Sequence, residues 1–387
     1  MSTRLPTTDR AARVALSRIA EPGNTSVHRA VQAHGAVDAL TRFVNGAMSA
    51  TGVVGGHYSW SRLAEDLRGS DLLGARVVVP SDADWPAGLN DLTVPPLCLW
   101  VRGEIDLAAA SARSVAVVGA RSATAYGTHV ATDLAVGMCE RGFAVVSGAA
   151  FGIDAAAHRG ALAVDGLTVA VLAGGIDRLY PASHAQLLGT IADEGAVISE
   201  QPLGVAPIGS RFLKRNRIIA ALTNGTVVVE ASLRSGSLNT AGHATSLGRP
   251  VAAVPGPVTS MQSAGCHALL REIDSQVQLV SDADELAEHV GRIGYDLAEP
   301  KRGERRATDD LDPEDRLLYE ALPLRAHRQI PDLARSVGLT EIAVRAGLGR
   351  LELCGAAERD LLDGWRKTGT TSTRRQSTRG SVGEAGR

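Results

Sequence analysis

The chain has 387 residues, which exceeds one ordinary domain and predicts two or three. Apolar residues make up 44% of it and aromatic residues only 3%, so its core must be built from Ala, Val, Leu and Ile. A formal net charge of −2 argues against a protein that coats nucleic acid by bulk charge. A local basic patch is still compatible with this charge, because the field in a cleft depends on the local arrangement of charges.

Cysteine spacing and the pattern of apolar residues indicate the compartment. The amino-terminal segment is interrupted by charges and contains no signal-peptide core, and no segment approaches the ~20 apolar residues of a membrane span. The cysteines form no CxxC pair, which disfavours a zinc ribbon or a disulfide framework and fits a reducing cytosol. We therefore expect a cytoplasmic protein with no metal, no cofactor and no membrane association. The four cysteines are Cys98, Cys139, Cys266 and Cys354.

Residues 1–75 form the first predicted domain, a set of short helices joined by Gly-containing turns. The segment EPGN ends the first helix and Gly35 ends the second. We interpret this region as a helical domain of the SAM or helix-hairpin-helix type, in which a plain docking role is favoured over nucleic-acid binding. The proline-rich residues 76–113 carry two predicted strands and are interpreted as a connection wrapped on the next domain. These strands are Val77–Val79 and Leu97–Val101.

From Ser114 onward, apolar strands alternate with helices at a steady spacing. This alternation predicts a parallel sheet that is buried on both faces, within a domain spanning residues 76–290. Each strand ends in a loop of small or polar residues, and in a doubly wound sheet these loops meet at one edge, where ligands bind. The predicted strands are Val115–Val118, Ala144–Val146, Thr168–Leu172, Ala196–Ile198, Val227–Val229 and Val251–Val254. The predicted helices are 126–141, 153–163, 183–193, 211–222 and 237–247.

The carboxyl-terminal part divides into three segments by composition. Residues 291–312 lose apolar periodicity and gain charge, which predicts a linker. Residues 313–362 resume short helices and end in a small hairpin, which is a winged-helix outline. Residues 363–387 are rich in Ser, Thr, Gly and Arg and predict a disordered tail.

A basic cluster opens the predicted helix 211–222. Cations in the first turn of a helix are locally unfavourable, so their presence predicts a bound anion. At 100° per residue, Arg215 shares an apolar stripe with Phe212, whereas Lys214 and Arg217 lie on a neighbouring flank. We expect Arg215 to point inward, to an ion pair with Glu230 or to a bound phosphate, and Lys214 and Arg217 to be free to meet a phosphate.

Two small-residue turns could supply further anion contacts. Arg121 lies in GARSATAYG, and helix-start amides of this kind bind phosphate, although an ordinary turn with a solvated Arg121 is the alternative. The turn at Ser147 and Gly148 lets a backbone approach a ligand closely. Asp154 follows it and is expected to cap the next helix, with Arg121 as an alternative partner.

The aromatic and acidic residues near these turns can each be assigned more than one role. Tyr180 and Phe212 are either packing residues or stacking faces for a base. Glu230 has the chemistry of a general base, but no Ser/His/Asp constellation, metal-ligand spacing or second catalytic carboxylate accompanies it. The sequence therefore predicts no catalysis.

Taken together, these motifs resemble the DprA/Smf family of DNA-processing proteins. The resemblance covers roughly residues 76–280 and runs through ADWPAGLNDLTVPPLCLWVRG, VAVVGARSATAYG, VVSGAAFGID, GGIDRLYP and RNRIIAALTNGTVVVEASLRSGSLNTA. It implies an extended Rossmann-like domain that binds single-stranded DNA without sequence preference. It also implies a homodimer that loads the RecA recombinase in natural transformation, competence or repair. A helical amino-terminal domain and a winged-helix-like carboxyl-terminal domain often accompany the family domain.

Carried over by motif, the resemblance implies a DNA-binding set of seven residues, with Glu230 and Asp154 as structural or ion-pair partners. The chain departs from the family pattern at Leu213 and Lys214, where FP is common, and at residues 180–184, 265–267 and 271–276. The set is Arg121, Ser147, Gly148, Phe212, Lys214, Arg215 and Arg217.

The leading hypothesis is a non-enzymatic recombination mediator that binds single-stranded DNA mainly through ionic contacts, because aromatic residues are few. An alternative is a nucleotide phosphoribohydrolase of the lysine-decarboxylase-like family, which would require a PGGxGTxxE run that the chain lacks. A dinucleotide-binding oxidoreductase is a third, and it lacks the glycine fingerprint and the acidic ribose ligand.

Overall fold

The computed structural model describes residues 5–47, 59–272, 276–298 and 310–368. Two compact units divide the chain at residues 299 and 300. No helix in these described ranges is both long and apolar enough to cross a membrane. Residues 299–309 of the predicted linker and 369–387 of the predicted tail lie outside the described residues.

A nine-stranded sheet forms the centre of the first unit. Its strands are β1 (Ala75–Val78), β2 (Leu99–Arg102), β3 (Ser114–Val118), β4 (Ala144–Ser147), β5 (Thr168–Leu172), β6 (Ala196–Ser199), β7 (Gly225–Val228), β8 (Val251–Ala253) and β9 (Val277–Leu279). Their order across the sheet is β1-β2-β6-β5-β4-β3-β7-β8-β9. Strands β3 to β9 are parallel, whereas β2 pairs antiparallel with β6 and β1 antiparallel with β2. The predicted doubly wound parallel sheet is confirmed.

Helices cover both faces of this sheet. They are α1 (Asp9–Ile19), α2 (Thr25–Val44), α3 (Trp60–Leu72), α4 (Leu107–Ala112), α5 (Ala125–Glu140), α6 (Ile153–Leu162), α7 (Ala185–Glu194), α8 (Gly209–Leu222), α9 (Gly236–Ser246), α10 (Ala264–Arg271) and α11 (Ala283–Val290). Side chains alternate along each strand, so Val115 and Val117 pack with α5, α6 and α11, while Ala116 and Val118 pack with α8 and α9. Burial on both faces explains why the strands are apolar throughout.

The amino-terminal helices pack on the antiparallel end of the sheet. Leu16 and Leu40 share an apolar cluster with Val77 and Trp100. Gly35 has a φ of 78° and breaks the regular geometry inside α2, as predicted, because a glycine adopts this conformation without steric cost. The division of this unit at residue 75 stays a prediction.

The second unit is a small three-helix structure closed by a hairpin. It contains α12 (Pro313–Ala321), α13 (Ile330–Val337), α14 (Glu341–Leu353), β10 (Ala357–Arg359) and β11 (Trp365–Lys367). Leu333, Leu348 and Trp365 are buried in its core. The sequence places Trp365 in a disordered tail, but its burial holds β11 in the hairpin, so the folded unit extends past residue 362. This element order matches the predicted winged-helix outline, and that assignment stays a prediction.

His158 is a completely buried titratable residue on α6. Its Nδ1 lies 2.7 Å from the Thr168 hydroxyl, and that hydroxyl donates to the Val145 carbonyl oxygen at 2.8 Å. Because the hydroxyl proton is already donated, the imidazole donates from Nδ1, and its Nε2 has no partner among the described residues. Burial, with a smaller contribution from the charge of Arg215, lowers the pKa of His158 to about 3.

We expect His158 to make stability depend on pH in the acid range. Its pKa in the folded protein lies below the unfolded value near 6.5, so its contribution is complete above pH 6.5 and is lost as pH falls towards 3. The slope should reach about 1.4 kcal/mol per pH unit. Urea titrations at several pH values should show a shallower slope for His158→Gln, and His129→Gln, at an exposed site, should keep the parent slope. Equal slopes for parent and His158→Gln would contradict this assignment.

Candidate nucleic-acid interface

A crevice opens at the carboxyl edge of the sheet where the strand order reverses. The chain runs from β3 outward to β6 on one side and returns to build β7, β8 and β9 on the other. The loops that follow β3 and β7 therefore diverge, and between them lies a cavity of about 570 Å³. Its walls come from residues 118–122, the face of α8 that carries Phe212, Arg215 and Asn216, and residues 232–237, which connect to α9. Ligands of open α/β sheets bind at such a switch point.

Arg121 and Phe212 meet across this crevice. Arg121 is exposed on the loop after β3, and its guanidinium carbon lies 5.0 Å from the centre of the Phe212 ring on α8. The Tyr180 ring lies 5.6 Å from the Phe212 ring. A cation and two aromatic rings thus stand together at the entrance, which is favourable for stacking as well as for anion binding.

Exposed apolar side chains continue along the same rim. Phe151 on the loop after β4 and Tyr180 on the loop after β5 are 48% and 46% exposed. Ile208 and Leu213, at the start of α8, are also about half exposed. The sequence predicts little stacking because aromatic residues are scarce, yet Tyr180 and Phe212 lie against each other and Phe151 is exposed on a loop at the same edge of the sheet. The structure therefore raises the contribution expected from stacking on the aromatic rim, defined as Phe151, Tyr180 and Phe212.

Arg215 points inward, as predicted, but to a different partner. It is only 8% exposed and donates to the carbonyl oxygen of Val171 at the end of β5. Its guanidinium lies where a Cβ at residue 148 would stand, so Gly148 makes room for it. Burial lowers the pKa of Arg215 to about 10, against the opposing effect of Asp154. Asp154 is thus the carboxylate that acts on Arg215.

The predicted ion pair between Arg215 and Glu230 is not formed. The Glu230 carboxylate accepts instead from the backbone N–H of Thr124 at 2.9 Å and from its hydroxyl at 2.6 Å. Arg215 extends along α8 towards β4 and β5, whereas Glu230 follows β7 and faces the loop after β3. The two side chains therefore serve different neighbours across the crevice.

The turn after β4 has a supporting role. Ser147 is buried and donates its hydroxyl to the Val117 carbonyl oxygen at 2.7 Å. Asp154 accepts from the N–H groups of Gly148 at 3.1 Å and Ala150 at 3.3 Å. The amides predicted to cradle a phosphate thus have an internal acceptor already. Asp154 caps this loop rather than the helix that contains it.

Arg217 and Lys214 lie on the flank of α8 that faces away from the crevice. Arg217 is 11% exposed, places one terminal nitrogen 2.5 and 2.6 Å from the two carboxylate oxygens of Glu200, and donates from the other to the Val94 carbonyl oxygen. Lys214 is partly exposed and lies 3.6 Å from Glu21, which also binds Arg211 at 2.5 Å. Arg217 is therefore not free to meet a phosphate as predicted, because Glu200 and Val94 already accept from it, whereas a DNA contact by the partly exposed Lys214 stays a prediction.

Arg234 is not among the DNA-binding residues predicted from the sequence. Arg234 is exposed on the loop after β7 and lines the crevice opposite α8. Ser235 caps the start of α9 beside it, and the Asn216 side-chain amide donates to the Gly236 carbonyl oxygen at 3.1 Å. The signal present in the sequence was an arginine followed by a Ser-Gly-Ser helix start in the segment after β7. A helix start with an adjacent cation favours an anion here.

We expect Arg217→Ala to lower stability rather than to weaken DNA binding specifically. Burial raises the pKa of Glu200 even with Arg217 beside it, so removing that cation leaves an unpaired buried carboxylate. The loss in unfolding free energy should be about 3–5 kcal/mol. Lys214→Ala, on the same flank but partly exposed, should cost below about 1 kcal/mol. Urea titrations give both values. If Arg217→Ala keeps the stability of the parent but binds oligonucleotides weakly, the prediction from sequence that Arg217 contacts DNA would be restored.

Comparisons with known proteins agree on one family. Residues 76–291 match the family model described as DNA recombination-mediator protein A. A Mycobacterium tuberculosis relative named as a DNA processing protein DprA is 47% identical over 358 residues, which cover 89% of this chain and 90% of the relative.

Two solved structures are similar to this chain. The X-ray structure of DNA processing protein A from Streptococcus pneumoniae has a TM-score of 0.61 and 28% identity, covering 74% of this chain and 99% of that one. A structure of DNA processing protein A from Helicobacter pylori, which concerns its single-stranded DNA binding mode, has a TM-score of 0.50 and 27% identity. It covers 55% of this chain and 93% of the other.

Proposed function

Because the chain belongs to the DNA recombination-mediator protein A family, we propose that it binds single-stranded DNA in the crevice and mediates recombination on that strand. The resemblance drawn from the sequence motifs is confirmed by this membership. The observation that carries the proposal is the placement of Arg121 over Phe212 at the entrance of a crevice at the switch point. Single-stranded DNA binding by the Helicobacter pylori relative supports it.

The geometry suits an unpaired strand. Arg121 and Arg234 stand on loops on opposite sides of the crevice, so each can neutralise a backbone phosphate. The aromatic rim offers ring faces to bases, and such stacking tolerates any base because every base has a π-face. A duplex keeps its bases stacked inside, so it cannot use the rim. Affinity for the unpaired form should therefore exceed that for the duplex.

The carboxylates beside the crevice favour binding over catalysis. Asp154 accepts from two backbone N–H groups, and Glu230 accepts from Thr124. Each is held by structural donors, so we infer that the protein acts as a non-enzymatic mediator. The phosphoribohydrolase alternative is not favoured by the family comparison.

The wider role follows the family resemblance. We infer that the protein works in the cytoplasm as a homodimer that loads the RecA recombinase, in DNA uptake and natural transformation or in repair. Pull-down of RecA by the protein, with and without an oligonucleotide, tests the partner separately from strand binding.

We expect tight binding to single-stranded oligonucleotides and weaker binding to the same sequence as a duplex. The logarithm of affinity should fall with the logarithm of salt concentration, by roughly 0.7 per phosphate neutralised. Fluorescence anisotropy with labelled oligonucleotides across a salt series measures both quantities. Equal affinity for both forms, or an affinity that salt does not change, would contradict the proposal.

Two variants separate ionic from stacking contacts. Arg121→Ala should weaken binding and reduce the salt slope by roughly 0.7, because one phosphate contact is lost. Tyr180→Ala should weaken binding by roughly 5- to 100-fold at an unchanged slope, because stacking involves no counterion. Arg159→Ala removes the same charge from the last turn of α6, at the opposite edge of the sheet, and should bind like the parent. An Arg121→Ala variant that behaves like Arg159→Ala would remove Arg121 from the interface.

A further inference from the structure

Glu230 holds both ends of the loop that carries Arg121. Its backbone carbonyl oxygen accepts from the N–H of Ala120 at 2.7 Å. Its carboxylate accepts from the N–H of Thr124 at 2.9 Å and from the Thr124 hydroxyl at 2.6 Å. One residue from the β7 side of the switch point therefore fixes a loop from the β3 side.

Two glycines fit this arrangement. A Cβ at Gly127 would overlap the Glu230 carboxylate, and a Cβ at Gly119 would lie 2.8 Å from the Glu230 carbonyl oxygen. Glycine at both positions lets the residue approach the loop and the start of α5. The contact between Glu230 and the loop therefore depends on the residue types at three positions, namely Gly119, Gly127 and Glu230 itself.

The carboxylate also reaches the cap of α5. The Thr124 hydroxyl donates to Glu230 and accepts from the N–H of Gly127 at 3.1 Å, so it links the carboxylate to the first turn of the helix. Glu230 is only 1% exposed, and a buried carboxylate is stable only when donors satisfy it. The loop and the helix cap supply those donors.

Arg121 depends on its loop for its position. Within the described residues, its side chain forms no ion pair or hydrogen bond and contacts only the Phe212 ring as a cation. On the far side of the loop, the Ala120 carbonyl oxygen accepts from the N–H of Ile153 at 3.2 Å. The backbone beside Arg121 is therefore held from two directions, and Glu230 provides the attachment from the β7 side.

We infer that Glu230 is a positioning residue for DNA binding, which holds the loop of residues 120–124 so that Arg121 faces the strand. The inference rests on the proposed function. Glu230 acts through Arg121 and touches no DNA itself. Its effect should therefore disappear when Arg121 is absent.

A double-mutant cycle between Glu230→Gln and Arg121→Ala tests this dependence. Glutamine has the shape of glutamate, but its NH₂ group cannot accept from Thr124. Glu230→Gln should lower oligonucleotide affinity roughly tenfold, a usual coupling between residues of one network, and reduce the salt slope towards that of Arg121→Ala. In the Arg121→Ala background it should have no further effect. Anisotropy is measured at a temperature where circular dichroism shows all variants folded.

A second pair of variants avoids Glu230 itself. Thr124→Val removes the hydroxyl and should lower affinity and salt slope in the same manner, whereas Thr124→Ser keeps the hydroxyl and should bind like the parent. This pair decides the matter if Glu230→Gln does not fold.

The outcomes separate this inference from the proposed function. Parent affinity for Glu230→Gln and Thr124→Val, or equal losses with and without Arg121, would overturn the positioning role alone. An Arg121→Ala variant that binds like the parent would overturn the Arg121 contact and the positioning role with it.

Discussion

The reversal of strand order between β3 and β7 determines where every group of the interface lies. Adjacent parallel strands followed by helices on opposite faces send their loops apart, so a crevice forms without any special loop sequence. The residues that follow the two strands then become the two sides of one site. Arg121 stands on one side, Arg234 and the start of α9 stand on the other, and Glu230 connects them. The small residues at these strand ends allow the close approach.

The basic helix α8 divides its cations between two tasks. Arg211, Lys214 and Arg217 lie against Glu21 and Glu200, so they attach the amino-terminal helices and the end of β6 to the helix. Arg215 is buried beneath the turn after β4 and organises the ends of β4 and β5. The face of α8 that lines the crevice carries Phe212, Arg215 and Asn216, and not the three paired cations. The positive charge available to a DNA strand therefore comes mainly from Arg121 and Arg234 on loops, and α8 contributes the Phe212 ring.

Local pattern was sufficient to predict the sheet but not the partners of its side chains. The strands β1 to β8 were predicted to within two residues at each end, because apolar runs and small-residue loops recur at regular spacing, whereas the short edge strand β9 was not predicted. The inward direction of Arg215 was also predictable from helical periodicity. Its partner was not, because helix angle specifies a face and says nothing of what covers it. Arg211 pairs with Glu21, 190 residues away, and Thr124 with Glu230, 106 residues away. The grouping of the aromatic rim was not predicted for the same reason, since two of its rings come from loops and the third from α8, and only the folded sheet brings them together.

The central claim is that an unpaired strand passes through the switch-point crevice with its bases against the aromatic rim. Photo-crosslinking of a 4-thiothymidine oligonucleotide to the full chain, followed by peptide mass spectrometry, tests this claim most directly. We expect adducts on the peptides that contain Phe151, Tyr180 and Phe212. Adducts confined to residues 310–368, or to the amino edge of the sheet, would contradict the account.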